Sequence, residues 1–172
     1  MKIVNKQALL EFLKLASNKL NGDWIVLGGS VLPLMGIESR VTTDIDVVKI
    51  NNSTQAETLE LMELTEKLGF PIETINQASA YFLFKIADFK KHLVLLQRGT
   101  NASFYRPDLY LFLQLKLPRL SESDFHDCVE MIKISKEESK LEGIMKIIQA
   151  AIKNERSSAK RARLKRLKAH LP

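Results

Sequence analysis

Leu27-Gly28-Gly29-Ser30, followed after a short interval by Asp44-Ile45-Asp46-Val47, is the stretch on which the fold turns. Trp24-Ile25-Val26-Leu27 is a short apolar run halted by two glycines, the pattern of a buried strand. A helix is expected from Ser30 to about Ile37, short or bent because Pro33 and Gly36 interrupt it. Without a Cβ, Gly28 and Gly29 let the backbone approach a ligand closely. The following helix start offers unpaired N–H groups to an anion, and Ser30 adds a hydroxyl. A seat for a triphosphate is the functional reading of this turn; a tight strand-to-helix junction is the plain one.

Asp44 to Ile50 reads as the next strand. Side chains two apart on a strand share a face, so Asp44 and Asp46 point together. Flanked by Ile45, Val47 and Val48, two such acids repel and disfavour their joint ionisation. A divalent cation relieves that repulsion. Mg²⁺ prefers carboxylates together with substrate phosphates, and a pair of metal ions can serve both the attacking and the leaving oxygen of a displacement. The plain alternative is a solvated strand end.

Outward from this centre, Lys6 to Leu20 has the spacing of an amphipathic helix, with Leu9, Phe12, Leu13, Ala16 and Leu20 on one face. Thr54 to Leu68 is a second helix, closed by Gly69 and Pro71. A weak strand is expected at Ile72 to Ile75. Tyr81 to Ile86 and His92 to Gln97 read as paired strands around a turn near Asp88. From Pro107 the pattern is helical, with a stop at Pro118. Ser121-Glu122-Ser123-Asp124 and Ser135-Lys136-Glu137-Glu138 have capping-box form, so helices are expected to start near Glu122 and Lys136. The fold class is therefore α/β (α+β): residues 1–120 form the core and residues 121–172 a helical extension with a basic tail.

The chain has 172 residues, 45% hydrophobic and 27% charged, and a formal net charge of +6. Lys153 to Lys168 holds eight Lys and Arg against Glu155, a local +7, so the rest sums to −1. The basicity is a property of the tail. As a basic helix with a thin apolar edge at Leu164 and Leu167, it fits RNA through phosphate contacts; an acidic protein groove is the rival partner, and a solvated face the plain reading. No run approaches the roughly 20 apolar residues of a membrane span. Glu11 and Lys14 break any signal-peptide core, and the single Cys128 excludes an internal disulfide framework. A cytoplasmic protein is expected. Cys128 reads as helix packing, and His92, His126 and His170 lack metal-ligand spacing.

Together, Leu27-Gly28-Gly29-Ser30 and Arg40-Val41-Thr42-Thr43-Asp44-Ile45-Asp46-Val47 resemble the signature of the DNA polymerase beta-type nucleotidyltransferase superfamily, in particular the minimal branch that includes AbiEii-like toxins. The resemblance covers residues 6 to 133. It implies a nucleotidyltransferase fold with a small mixed sheet, and transfer of a nucleoside monophosphate from a nucleoside triphosphate to a hydroxyl on RNA (a tRNA end among the candidates) or protein, with Mg²⁺ or Mn²⁺. By the same resemblance Gly28, Gly29 and Ser30 hold the triphosphate, Asp44 and Asp46 bind metal, and Arg40 and Thr42 support the loop or contact phosphate. Lys116, on an apolar helix among Leu113, Leu115 and Leu117, would assist electrostatically, with Asp127 downstream; Asp124 has a capping role open to it. A toxin-like member would have a neutralising protein partner.

One departure stands out. The superfamily usually carries a third metal-binding carboxylate on a later strand, and His92 to Arg98 has none. Glu73 and Asp88 are the substitutes at hand. A nucleotide- or RNA-binding module without turnover is thus the second hypothesis, and an interaction protein using its basic helix the third.

Overall fold

Leu9, Phe12, Leu13 and Ala16 recur at helical spacing, and helix α1 (Lys6–Lys19) buries all four. Asn5 caps it, its side chain accepting from the Ala8 N–H at 2.9 Å. The computed structural model describes residues 3–37, 42–135 and 137–171. It divides into two units, Met1–Pro107 and Asp108–Pro172.

The first unit is built on five strands: β1 (Gly22–Val26), β2 (Ile45–Lys49), β3 (Ile75–Asn76), β4 (Leu93–Arg98) and β5 (Ala102–Pro107). They form one mixed sheet in the order β3-β2-β1-β5-β4, flanked by helices, the architecture of an α+β nucleotidyltransferase-like fold. β1 lies in the middle, antiparallel to β2 (Val26 opposite Val47) and parallel to β5 (Trp24 opposite Phe104). Trp24, Ile25 and Val26 are all buried, as a strand covered on both faces requires. Trp24 stacks on Phe104 at 6.2 Å, and Phe12 of α1 meets Phe104 edge-on at 6.5 Å. Helix α3 (Gln55–Lys67) begins with a complete capping box between Thr54 and Glu57. Gly69, at φ +72°, ends it, and the Phe70 N–H returns to the Thr65 carbonyl at 3.0 Å.

Three expectations are corrected here. Tyr81 to Ile86 is no strand: Ala80–Leu83 is a single helical turn, α4 (α2 being Val31–Leu34). Leu83 alone faces inward there, while Tyr81, Phe82 and Phe84 are exposed, so the apparent alternation of aromatics does not mark a half-buried strand. β4 pairs instead with β5, antiparallel, Leu95 opposite Tyr105. The helix expected from Ser30 to Ile37 is a 3₁₀ turn, Gly28–Ser30, running into the four residues of α2. The weak strand near Ile72 is a 3₁₀ turn over Ile72–Thr74 followed by the two residues of β3.

The second unit is helical: α5 (Leu109–Lys116), α6 (Glu122–Ser135), α7 (Leu141–Asn154) and α8 (Ser158–Lys168). Asp108 caps α5 through the Leu111 N–H at 2.9 Å. The Ser121 box forms: the Ser121 hydroxyl accepts from the Asp124 N–H at 3.2 Å, and Asp124 Oδ2 accepts from the Ser121 N–H at 3.2 Å. The second box does not start a helix. α6 continues through Ser135, whose hydroxyl is buried against Met131 Sδ at 3.7 Å, and α7 begins only at Leu141; Lys136 lies outside the described residues. Cys128 is fully buried in α6, and burial pushes its thiol far above the ordinary range.

The basic tail is partly built into this unit. Leu164 and Leu167 of α8 are buried. On the same side Lys160 pairs with Glu155 at 2.7 Å, Arg163 Nε donates to the Leu120 carbonyl at 2.8 Å, and Arg166 lies 4.5 Å from the centre of the Phe125 ring. These long side chains serve as packing as well as charge. Lys153, Arg156 and Lys165 are exposed.

Candidate active site

The site is assembled where the end of β1 meets the start of β2. The Leu27 N–H continues the ladder to the Asp46 carbonyl at 2.8 Å, and the chain then turns at Gly28 with φ +57°. A Cβ on Gly28 would lie 2.0 Å from Asp46 Oδ2 and 2.7 Å from its Cγ. Glycine is therefore required twice, for its left-handed backbone and for the space the carboxylate occupies. The gap that sequence reasoning reserved for a ligand admits the acid itself.

Ser30 is fully buried. Its hydroxyl donates to the Asp44 carbonyl at 2.9 Å and accepts from the Asp46 N–H at 3.1 Å. It thus fastens the turn to the backbone on both sides of Ile45, and a phosphate would have to displace a formed bond to use it. Thr42 acts in the same place: its hydroxyl donates to the Asp44 carbonyl at 3.1 Å, and its own carbonyl accepts from the Val4 N–H at 2.9 Å. The Asp44 side chain accepts from the Thr43 hydroxyl at 3.2 Å and is partly exposed. Arg40 lies outside the described residues.

Asp46 is 9% exposed. Its in-register neighbour on β3 is Asn76, whose Nδ2 donates to Asp46 Oδ1 at 2.7 Å. Asn76 Oδ1 accepts from the Ala78 N–H at 3.0 Å, so the amide is held from both ends. Sequence reasoning missed Asn76. It looked for a third acid on His92 to Arg98, but that strand forms the opposite edge of the sheet from β3. Glu73, in the 3₁₀ turn before β3, is exposed, and Asp88 is exposed and pairs with Lys91 at 3.2 Å. Among the described residues no cluster of three or more His, Cys, Asp or Glu could hold a metal ion. Two carboxylates are as many as Mg²⁺ commonly takes from protein when it arrives with phosphate oxygens.

Lys116 and Asp127 belong to the helical unit. Lys116 is 7% exposed, and its ammonium donates to Asp124 Oδ1 at 2.8 Å and Asp127 Oδ2 at 2.9 Å. Arg119 holds Asp124 with two bonds, at 2.6 and 2.8 Å. Burial alone would raise the Asp124 carboxyl; the bonds from Arg119, Lys116 and Ser121 outweigh it and hold the group well below the usual carboxylate range. Lys116 was expected to reach a phosphate. In this structure its ammonium joins α5 to α6, and Asp124 is as much its partner as Asp127.

A family described as nucleotidyltransferase of unknown function (DUF6036) matches residues 6–170. The chain belongs to this nucleotidyltransferase family. The match spans both the sheet and the helical unit, basic tail included. No curated protein and no solved structure matches the chain. Within this nucleotidyltransferase-family protein no described helix is long and apolar enough to cross a membrane.

Gly28 gives a direct test of the geometry. Gly28→Ala should displace the Asp46 carboxylate and strain a backbone at positive φ, at a cost of about 1–3 kcal/mol. Chemical denaturation reads the stability loss. A mutant with unchanged midpoint would mean that Asp46 does not occupy this space.

Proposed function

We propose that this nucleotidyltransferase-family protein transfers a nucleoside monophosphate from a nucleoside triphosphate to a hydroxyl on RNA or protein, with Mg²⁺ or Mn²⁺ held by Asp44 and Asp46. The observation that carries this reading is the contact of the Asp46 carboxylate with the Gly28 turn, which joins the acid strand and the glycine turn in one place. Gly28 leaves room for the acid. Ser30 and Thr42 lock the backbone that presents Asp44, and Asn76 orients Asp46. The acceptor hydroxyl gives its proton to solvent as its oxygen bonds to the α-phosphorus, the bridge to the β-phosphate breaks, and pyrophosphate leaves. A bound divalent ion would neutralise charge on the phosphates and the leaving group.

The exposed cations Lys153, Arg156 and Lys165 support an RNA partner for the tail, and a toxin-like role with a neutralising partner protein extends the same reading. Asn76, an amide beside Asp46 where a third acid would strengthen metal binding, favours a second reading: a nucleotide-binding module with little or no turnover. Incubation with each labelled triphosphate, Mg²⁺ and total cellular RNA separates the two, alongside thermal shift with the same triphosphates. Incorporation supports the enzyme. Stabilisation without incorporation supports the binding module. Neither effect with any triphosphate would remove both.

A further inference from the structure

Three aromatic side chains stand out of the first unit directly after β3. Tyr81 is 65% exposed and Phe82 57%, their rings packed edge to face at 5.3 Å; Phe84 is also exposed. Burying such rings is favourable, and nothing in the hydrophobic core uses Tyr81 or Phe82. The same segment carries Lys85, Lys90 and Lys91 against Asp88, a formal +2; Lys90 donates to Asn51 Oδ1 at 3.4 Å and Lys91 pairs with Asp88 at 3.2 Å, both at the surface. The Lys85 ammonium lies 3.5 Å from the centre of the Tyr81 ring, a cation–π contact. Exposed rings interleaved with cations are the composition that takes unpaired nucleobases by stacking and their phosphates by charge.

This patch is tied to the candidate site. The Asn76 amide bonds Asp46 at one end and the Ala78 N–H at the other, and Gln77 Nε2 donates to the Ser53 hydroxyl at 3.2 Å. The turn leading into α4 is therefore fixed to the strand that carries Asp46. Tyr81 follows Asn76 by five residues, so their Cα atoms lie within about 18 Å even for extended chain.

We propose that Tyr81 and Phe82, with Lys85, Lys90 and Lys91, form a stacking platform for the unpaired bases of a single-stranded RNA acceptor. The inference rests on the transferase reading above and names its acceptor class. Two exposed rings followed within ten residues by three lysines suit several consecutive nucleotides better than one free nucleotide, which would engage a single ring and a single phosphate cluster. Stacking of this kind tolerates any base.

The test is fluorescence anisotropy of the full chain with a labelled oligouridine of about 12 nucleotides, a length within the range such platforms cover, and with a duplex of equal length. The strand should bind more tightly than the duplex. Tyr81→Ala/Phe82→Ala should weaken strand binding at least about tenfold, as loss of stacked bases does, with thermal midpoint preserved because both rings are exposed. Tyr81→Trp should retain binding. Equal affinity in the double aromatic variant, or equal affinity for duplex, would overturn the platform. So would a variant that only disperses a self-associated form. Triphosphate incorporation that persists with the platform disproved would leave the transferase reading standing; strand binding without any incorporation would do the reverse.

Discussion

Asp46→Asn should lower divalent-ion-dependent nucleotide transfer by more than about 100-fold while leaving the fold intact. Loss of even an outer partner of a metal ligand typically costs 10–100-fold, and here the proposed ligand itself loses its charge. The shape is conserved, and the Asn76 amide can still donate to the remaining carbonyl oxygen, so the stability change should stay near about 1 kcal/mol. Asp44→Asn should act in the same direction. Its side chain is more exposed than Asp46 and, among the described residues, accepts from the Thr43 hydroxyl at 3.2 Å, so its loss should disturb the local structure less. The readout is incorporation of labelled triphosphate beside a denaturation midpoint for each variant. Full activity in Asp46→Asn with a normal midpoint would remove the assignment of this carboxylate.

The second large effect lies in the helical unit and concerns stability. Lys116→Met should destabilise it by about 3–5 kcal/mol, the usual consequence of stripping one partner from a buried ion network. Asp127 would lose a bond of 2.9 Å and Asp124 one of 2.8 Å, leaving two acids near each other away from water. Adding Asp127→Leu should recover much of that loss, because the stranded charge is then gone. Urea denaturation followed on the helical signal measures both. A Lys116→Met midpoint equal to the wild type would show that the ammonium carries no such role. The network also sets a pH response. The folded Asp124 carboxyl lies below its unfolded value of about 3.9. Its contribution is therefore complete above that value and is lost as pH falls towards the folded one, so this unit should weaken below about pH 4.

Much of the first unit was legible because its signals are local. A four-residue apolar run stopped by two glycines gave β1, and Asp-Ile-Asp-Val-Val gave β2. The 3.6-residue spacing in α1 and the Gly69 stop of α3 needed no partner to interpret. The failures all depended on long-range packing. Tyr81 to Ile86 has strand composition, but only Leu83 is buried. β5 escaped notice because its pairing with β1 lies far along the chain and its inward residues include the buried Arg106. At the site, the acids and glycines were visible as residue types, whereas Asn76 was not: an uncharged amide in a two-residue strand has no chemical signature until Asp46 is beside it. Ser30 was seen as a hydroxyl but not as a backbone fastener. Lys116 was seen as a cation without its two carboxylate partners.

The central position of β1 has a further consequence for synthesis on the ribosome. Trp24 pairs with Phe104, 80 residues later, whereas Val26 pairs with Val47 and Asp46 with Asn76 across much shorter separations. A nascent chain can thus bring the glycine turn, the acids and Asn76 together while one edge of the strand carrying Trp24, Ile25 and Val26 still lacks its neighbour. Closing so long a loop comes late, and an open strand edge in the interim invites pairing with other chains. Translation past Pro107, the last residue of β5, is what ends that exposure, so fragments stopping short of it would carry a nearly complete site on an aggregation-prone sheet.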